Sequence, residues 1–165
     1  MEPSPASIRV HGLLPGRLAA SPSLTELRGE LAGALAGRFL LTWAAGVETS
    51  FLSRTFGGTR RRWLARTIDV RELSKTLVHL GPDAGPDSVS TTASAGGRGA
   101  DPRSRVGSLE ATAVRFGIPV ERAHHAFDDA LMTAELFLVM ATRLAPHGFG
   151  TVRSFLRRTR KPRRW

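Results

Sequence analysis

The chain has 165 residues, a formal charge of +10, a 41% hydrophobic content and no cysteine. That length suits one domain with a real core, and the missing cysteines exclude disulfides and Cys-ligated zinc or iron–sulfur sites, as fits a cytoplasmic protein. A cation surplus this large favours a polyanionic partner, nucleic acid foremost.

Residues 1–22 hold Pro3, Pro5, Pro15 and Pro22, which predict extended or irregular chain. They contain no uninterrupted apolar stretch behind a basic start, so no signal peptide is expected, and no run in the chain approaches membrane-spanning length. Ser23 followed by Glu26 reads as a capping box, and Leu24, Leu27, Leu31 and Leu35 then recur at helical spacing. An amphipathic helix over 24–36 follows, ended by Gly37. Arg38–Trp43 suits a short buried strand. Gly46–Phe56 reads as a second helix with Val47, Phe51 and Leu52 on one face, stopped by Gly57 and Gly58. A weaker strand is expected within 64–70, and Arg71–Leu80 reads as a helix with Leu73, Leu77 and Leu80 inward.

Positions 81–107 are rich in Gly, Pro, Ser, Asp and Ala, with Val89 and Val106 as the large apolar residues. Such a segment buries too little to offset its ordering entropy, so a flexible insertion is expected. Helical periodicity resumes at Ser108–Phe116 and again from Asp128 to about Leu144, where Leu131, Ala134, Leu138 and Ala141 form a stripe. Positions 1–145 therefore read as one domain and 146–165 as a basic tail. Alternating strands and helices predict an α/β protein, yet only two strands are evident, a poor sheet on their own.

Cations concentrate at Arg60, Arg61, Arg62 and Arg66, and in the tail at Arg153, Arg157, Arg158, Arg160, Lys161, Arg163 and Arg164. Either set can contact phosphates or simply be solvated. A second feature is His124, five residues ahead of Asp129 at the start of the longest helix. A carboxylate in a first helical turn is stabilised as an anion and makes a good ligand for Mg²⁺ or Mn²⁺. A nearby imidazole can deprotonate water. Taken singly, Asp128 or Asp129 can equally be a helix cap and His124 or His125 a surface histidine.

The pattern His124-x-Ala126-x-x-Asp129-Ala130, followed by Thr133 and Ala134, resembles the third motif of the DnaQ-like (DEDDh) 3′-5′ exonucleases, relatives of the polymerase III epsilon subunit. Upstream, Leu40 to Leu52 resembles the second motif, with Glu48 where the family has its acidic ligand and Phe51-Leu52 as its apolar pair. Trp43 and Ala44 replace the family's usual His and Asn. Weaker likenesses run through Ile8–Leu13 and Ser108–Phe116. The resemblance implies a ribonuclease H-like fold, metal-dependent removal of nucleotides from DNA or RNA 3′ ends, Glu48 and Asp129 as ligands of Mg²⁺ or Mn²⁺ (two ions in the family), and His124 as general base.

The family's first motif, Asp-x-Glu on a central strand, has no counterpart here. The one acid ahead of the first predicted helix is Glu2. Asp69 stands in a strand at the place of a non-catalytic family Asp. The expected architecture is thus an incomplete exonuclease fold lacking its first three strands, with a natural start upstream of Met1. Two other readings share these residues: a catalytically dead module binding nucleic acid through Arg60–Arg62 and the tail, and a module that completes its sheet on a DNA polymerase or another chain.

Overall fold

The computed structural model describes residues 3–80 and 107–160, without the side chains of 159 and 160. Its elements are, in order, helices α1 (Pro5–His11), α2 (Pro15–Ala19) and α3 (Leu24–Leu35), strand β1 (Leu40–Thr42), helices α4 (Ala45–Phe56) and α5 (Arg60–Leu64), strand β2 (Thr67–Asp69), then α6 (Val70–Leu80), α7 (Leu109–Arg115), α8 (Ala126–Leu144), a 3-10 turn and α9 (Val152–Arg160). This is a mostly helical α/β arrangement around a two-stranded parallel sheet, with Leu40, Leu41 and Thr42 opposite Thr67, Ile68 and Asp69. Parallel pairing demands a crossover, which α4 and α5 provide. No described helix is long and apolar enough to cross a membrane.

The N-terminal prolines start helices instead of breaking them. Pro5 and Pro15 each occupy the first turn, where the missing N–H is no loss, and the Ser4 side chain caps α1. The capping box of α3 forms as expected: Ser23 N–H donates to Glu26 Oε2 at 2.6 Å, and Glu26 N–H to Ser23 Oγ at 3.3 Å. Yet α3 buries no residue, so its leucines serve no core. Arg66 ties this end of the chain to the sheet, donating to the carbonyls of Leu35 and Arg38.

The core is built from β2 and α6 to α9: Ile68, Val70, Leu73 and Leu77 meet Leu109, Ala113 and Ile118, the α8 residues Met132, Leu136, Met140 and Leu144, and Phe155 with Leu156. Along α8 the buried stripe runs 132, 136, 140, 144, not through the expected Leu131, Ala134, Leu138 and Ala141; Leu138 is 64% exposed. The helix is apolar on more than one side, so periodicity alone does not select the face that α6 and α7 cover. Leu80 ends α6 and is exposed, unlike Leu73 and Leu77. Strand β1 is only partly covered, with Leu41 exposed. The expected insertion lies outside the described residues except for Gly107.

The basic segment after residue 145 differs most from expectation, because it enters the fold. Helix α9 packs on β2 and α6. Phe155 is 5% exposed, with its ring 5.2 Å from Phe137 and 5.7 Å from Phe149. Its apolar residues are spaced to give the segment one buried face, and burying a Phe outweighs the helix's poor composition. Phe155→Ala is expected to cost about 3–4 kcal/mol in urea unfolding, against under about 0.5 kcal/mol for the exposed Arg157→Ala.

Candidate functional site

Glu48, His124 and Asp129, distant in sequence, line one open cavity of about 640 Å³. Leu41, Thr42 and Trp43 come from β1 and its exit, Glu48 from the first turn of α4, Ser108 to Glu110 from the start of α7, and His124 to Thr133 from the entry and first turns of α8. Helix N-terminal turns therefore dominate the wall, a setting that favours anions.

Helix α4 is placed by a residue from the other strand. Its N-cap, Ala44, offers no side-chain cap. Instead Asp69 Oδ2 accepts from Ala45 N–H at 3.0 Å, while Asp69 Oδ1 accepts from Glu72 N–H at 3.1 Å. One carboxylate thus caps both α4 and α6, a structural role. Burial pushes the Asp69 carboxyl above the usual carboxylate range, against the two backbone hydrogen bonds that pull it down.

Glu48 feels the same environment. Burial raises its carboxyl, its own backbone N–H lowers it, and the nearby Asp69 charge raises it further. Glu48 Oε2, Asp129 Oδ1 and Thr42 Oγ1 are all shielded from solvent without a hydrogen-bond partner in the protein. Leaving such an oxygen unmatched costs about 1–3 kcal/mol. These three oxygens belong to residues that line one cavity, and oxygens of this kind are what a hard cation such as Mg²⁺ or Mn²⁺ takes as ligands. Among the described residues no three His, Asp or Glu side chains group as ligands. The donors present, two carboxylates and a hydroxyl, suit a single cation; a two-ion centre calls for more.

The neighbouring Asp128 and Asp129 divide their roles. Asp128 is buried and paired with Arg122, whose Nε lies 2.7 Å from Oδ2, and with His125 Nδ1 at 3.3 Å. Asp129 is turned to the cavity, its backbone N–H bonded to His125 O at 2.9 Å. The adjacent histidines divide likewise, with His125 engaged by Asp128 and His124 at the cavity. His124 has φ +63°, the one described non-glycine residue in the left-handed region. Such strain collects where a side chain must be aimed.

Glu110 is the residue that sequence reasoning passed over. It lines the same cavity, and its Oε1 lies 3.8 Å from His124 Nδ1. The Ser108–Phe116 segment was legible as a helix start, but nothing in its spacing pairs an acid at 110 with a histidine beyond the next loop.

Of the expected phosphate contacts, Arg60, Arg61 and Arg62 lie exposed at the start of helix α5, which the sequence did not announce. The Arg60 guanidinium lies against the first turn of α4, 3.0 Å from where a Cβ on Gly46 would stand. Trp63, 6.0 Å from the Phe56 ring, sits beside them. Arg157 is exposed, but Arg158 is buried and donates from Nε to Thr76 Oγ1 at 2.8 Å, so packing rather than phosphate occupies it. The Arg160 side chain and Lys161 lie outside the described residues.

Compared with family models, with curated proteins and with solved structures, the chain finds no match.

The raised Glu48 carboxyl carries a stability consequence. Its folded pKa lies above the unfolded one, so the proton is held more tightly in the fold and stability is lost as pH rises through that range. Glu48→Gln removes the penalty. Its thermal midpoint without added metal is expected to exceed wild type at pH 8 and to converge with it near pH 4; equal midpoints at both would contradict the buried-carboxylate assignment.

Proposed function

We propose that this chain is a metal-dependent nuclease module of the DnaQ-like, ribonuclease H-like class, acting at DNA or RNA 3′ ends. The observation that carries the proposal is the meeting of Glu48, Asp129 and His124 in one cavity, with Glu48 Oε2 and Asp129 Oδ1 both buried and unpaired. These are the residues the family resemblance singles out, drawn together from separate stretches of the chain.

Glu48, Asp129 and the Thr42 hydroxyl would hold the cation. Bound there, Mg²⁺ or Mn²⁺ supplies Lewis-acid stabilisation of phosphoryl oxygens. His124 accepts a proton from the attacking water; the side chain is 55% exposed and free to reach it. The water oxygen bonds to the terminal phosphorus, and the bond to the preceding 3′ oxygen breaks, releasing a nucleotide. Arg60, beside the α4 turn that carries Glu48, and the exposed Arg61 and Arg62 offer charge to the approaching backbone.

Asp129→Ala is expected to bring Mg²⁺- or Mn²⁺-dependent degradation of a 5′-labelled single strand to background, and His124→Ala to slow it about 10²–10⁴-fold. Full activity in Asp129→Ala would remove the site assignment. The exposed α5 arginines favour a second reading, nucleic-acid binding without hydrolysis. In that case affinity for a single strand survives Asp129→Ala and falls with log salt at a slope of about 2 for three phosphate contacts, a slope lost in the triple Arg60, Arg61 and Arg62 to Ala variant.

A further inference from the structure

We propose that Glu110 is a positioning residue for His124, the carboxylate of a Glu–His pair that fixes which ring nitrogen acts as base. This rests on the nuclease reading of the cavity and adds a residue that the family resemblance does not assign.

The geometry comes first. Glu110 Oε1 lies 3.8 Å from His124 Nδ1, and both side chains line the cavity that holds Glu48 and Asp129. Among the described residues Glu110 is the one charged side chain within salt-bridge distance of His124, since Asp128 takes His125 and Arg122. His124 stands there on a left-handed backbone, φ +63°.

Glu110 is also the more fixed partner. Its side chain is 23% exposed, against 55% for His124. It stands in the first turn of α7 behind the cap Ser108. The Ser108 side chain holds its carboxyl below the usual range, helped by its own backbone N–H and then by His124. A partly buried anion beside an exposed imidazole can act as a directing group. At 3.8 Å the pair stops short of a hydrogen bond, and a small rotation of the exposed ring closes it.

The chemistry follows from the two nitrogens of neutral imidazole, of which one carries the proton. A carboxylate facing Nδ1 favours the Nδ1–H form and leaves the Nε2 lone pair as the base. When Nε2 takes a proton from water, Glu110 stabilises the imidazolium while itself remaining ionised, as an orienting carboxylate does beside other catalytic histidines.

The test reads the ring directly. The full chain is labelled with ¹⁵N-histidine, and long-range ¹H–¹⁵N spectra are recorded at a pH where the ring is neutral; His124→Gln identifies the His124 signals among the five histidines. Wild type is expected to show mainly Nδ1–H, Glu110→Gln to keep that form because its amide oxygen still accepts, and Glu110→Ala to revert to the Nε2–H form favoured in water. On a 5′-labelled strand, kcat is expected to fall about 10-fold in Glu110→Ala with KM within about 2-fold. The same tautomer in wild type and Glu110→Ala would overturn the pairing, and an unchanged kcat would overturn the positioning role. An Ala variant that changes tautomer in a chain inactive as wild type would retain the pair and reject the nuclease reading instead.

Discussion

The carboxylate of Asp69 ends β2, starts α6 and closes the N-terminus of α4, accepting from Glu72 N–H at 3.1 Å and from Ala45 N–H at 3.0 Å. Each helix start leaves N–H groups that the helix itself cannot satisfy. A single side chain that meets two of them fixes the angle between the helices and their distance from the sheet. Because Asp69 stands opposite Thr42 in the parallel register, the same residue sets where β1 exits into α4. Glu48 is three residues past Ala45, so its position over the cavity follows from that clamp. Burying this carboxylate raises its pKa, a cost offset by helix caps that no other residue at Ala44–Ala45 supplies.

The cavity shows the opposite balance. Around Asp69 polar groups are matched, whereas Glu48, Asp129 and Thr42 each keep a buried oxygen unmatched. Along α4 the capped Ala45 and the unmatched Glu48 lie less than one helical turn apart. The neighbouring Asp128 makes the same contrast, with its oxygens taken by Arg122 and His125. Unsatisfied polar groups are rare in folded proteins, and these three, on residues of one cavity, are the observation on which the proposed function rests.

Charge is likewise sorted by the fold. The total of +10 does not say which cations stay exposed and which are engaged within the fold. Arg66 is spent on the carbonyls that hold α3, Arg158 on Thr76 beneath α9, and Arg122 on Asp128. The exposed row Arg60–Arg62 is left beside the helix that carries Glu48. A basic cluster in sequence is therefore a mixture of cations engaged within the fold and cations left exposed, and the partners that the fold supplies separate them.

The sequence by itself determined the local events. The capping box at Ser23, the stops at Gly37 and Gly57, the two strands and the helix behind His124 are all written in neighbouring residues, because caps, turns and periodicity act within a few positions. It also singled out Glu48, His124 and Asp129. Tertiary structure decided everything that depends on what lies opposite. It chose the Met132-Leu136-Met140-Leu144 face of α8 over the equally apolar Leu131 and Leu138, and drew α9 into the core although its composition is that of a solvated tail. It made Asp69 a double cap, and it set Glu110 beside His124. Helix faces and carboxylate partners are settled by packing between segments far apart in the chain, and no local pattern encodes that meeting.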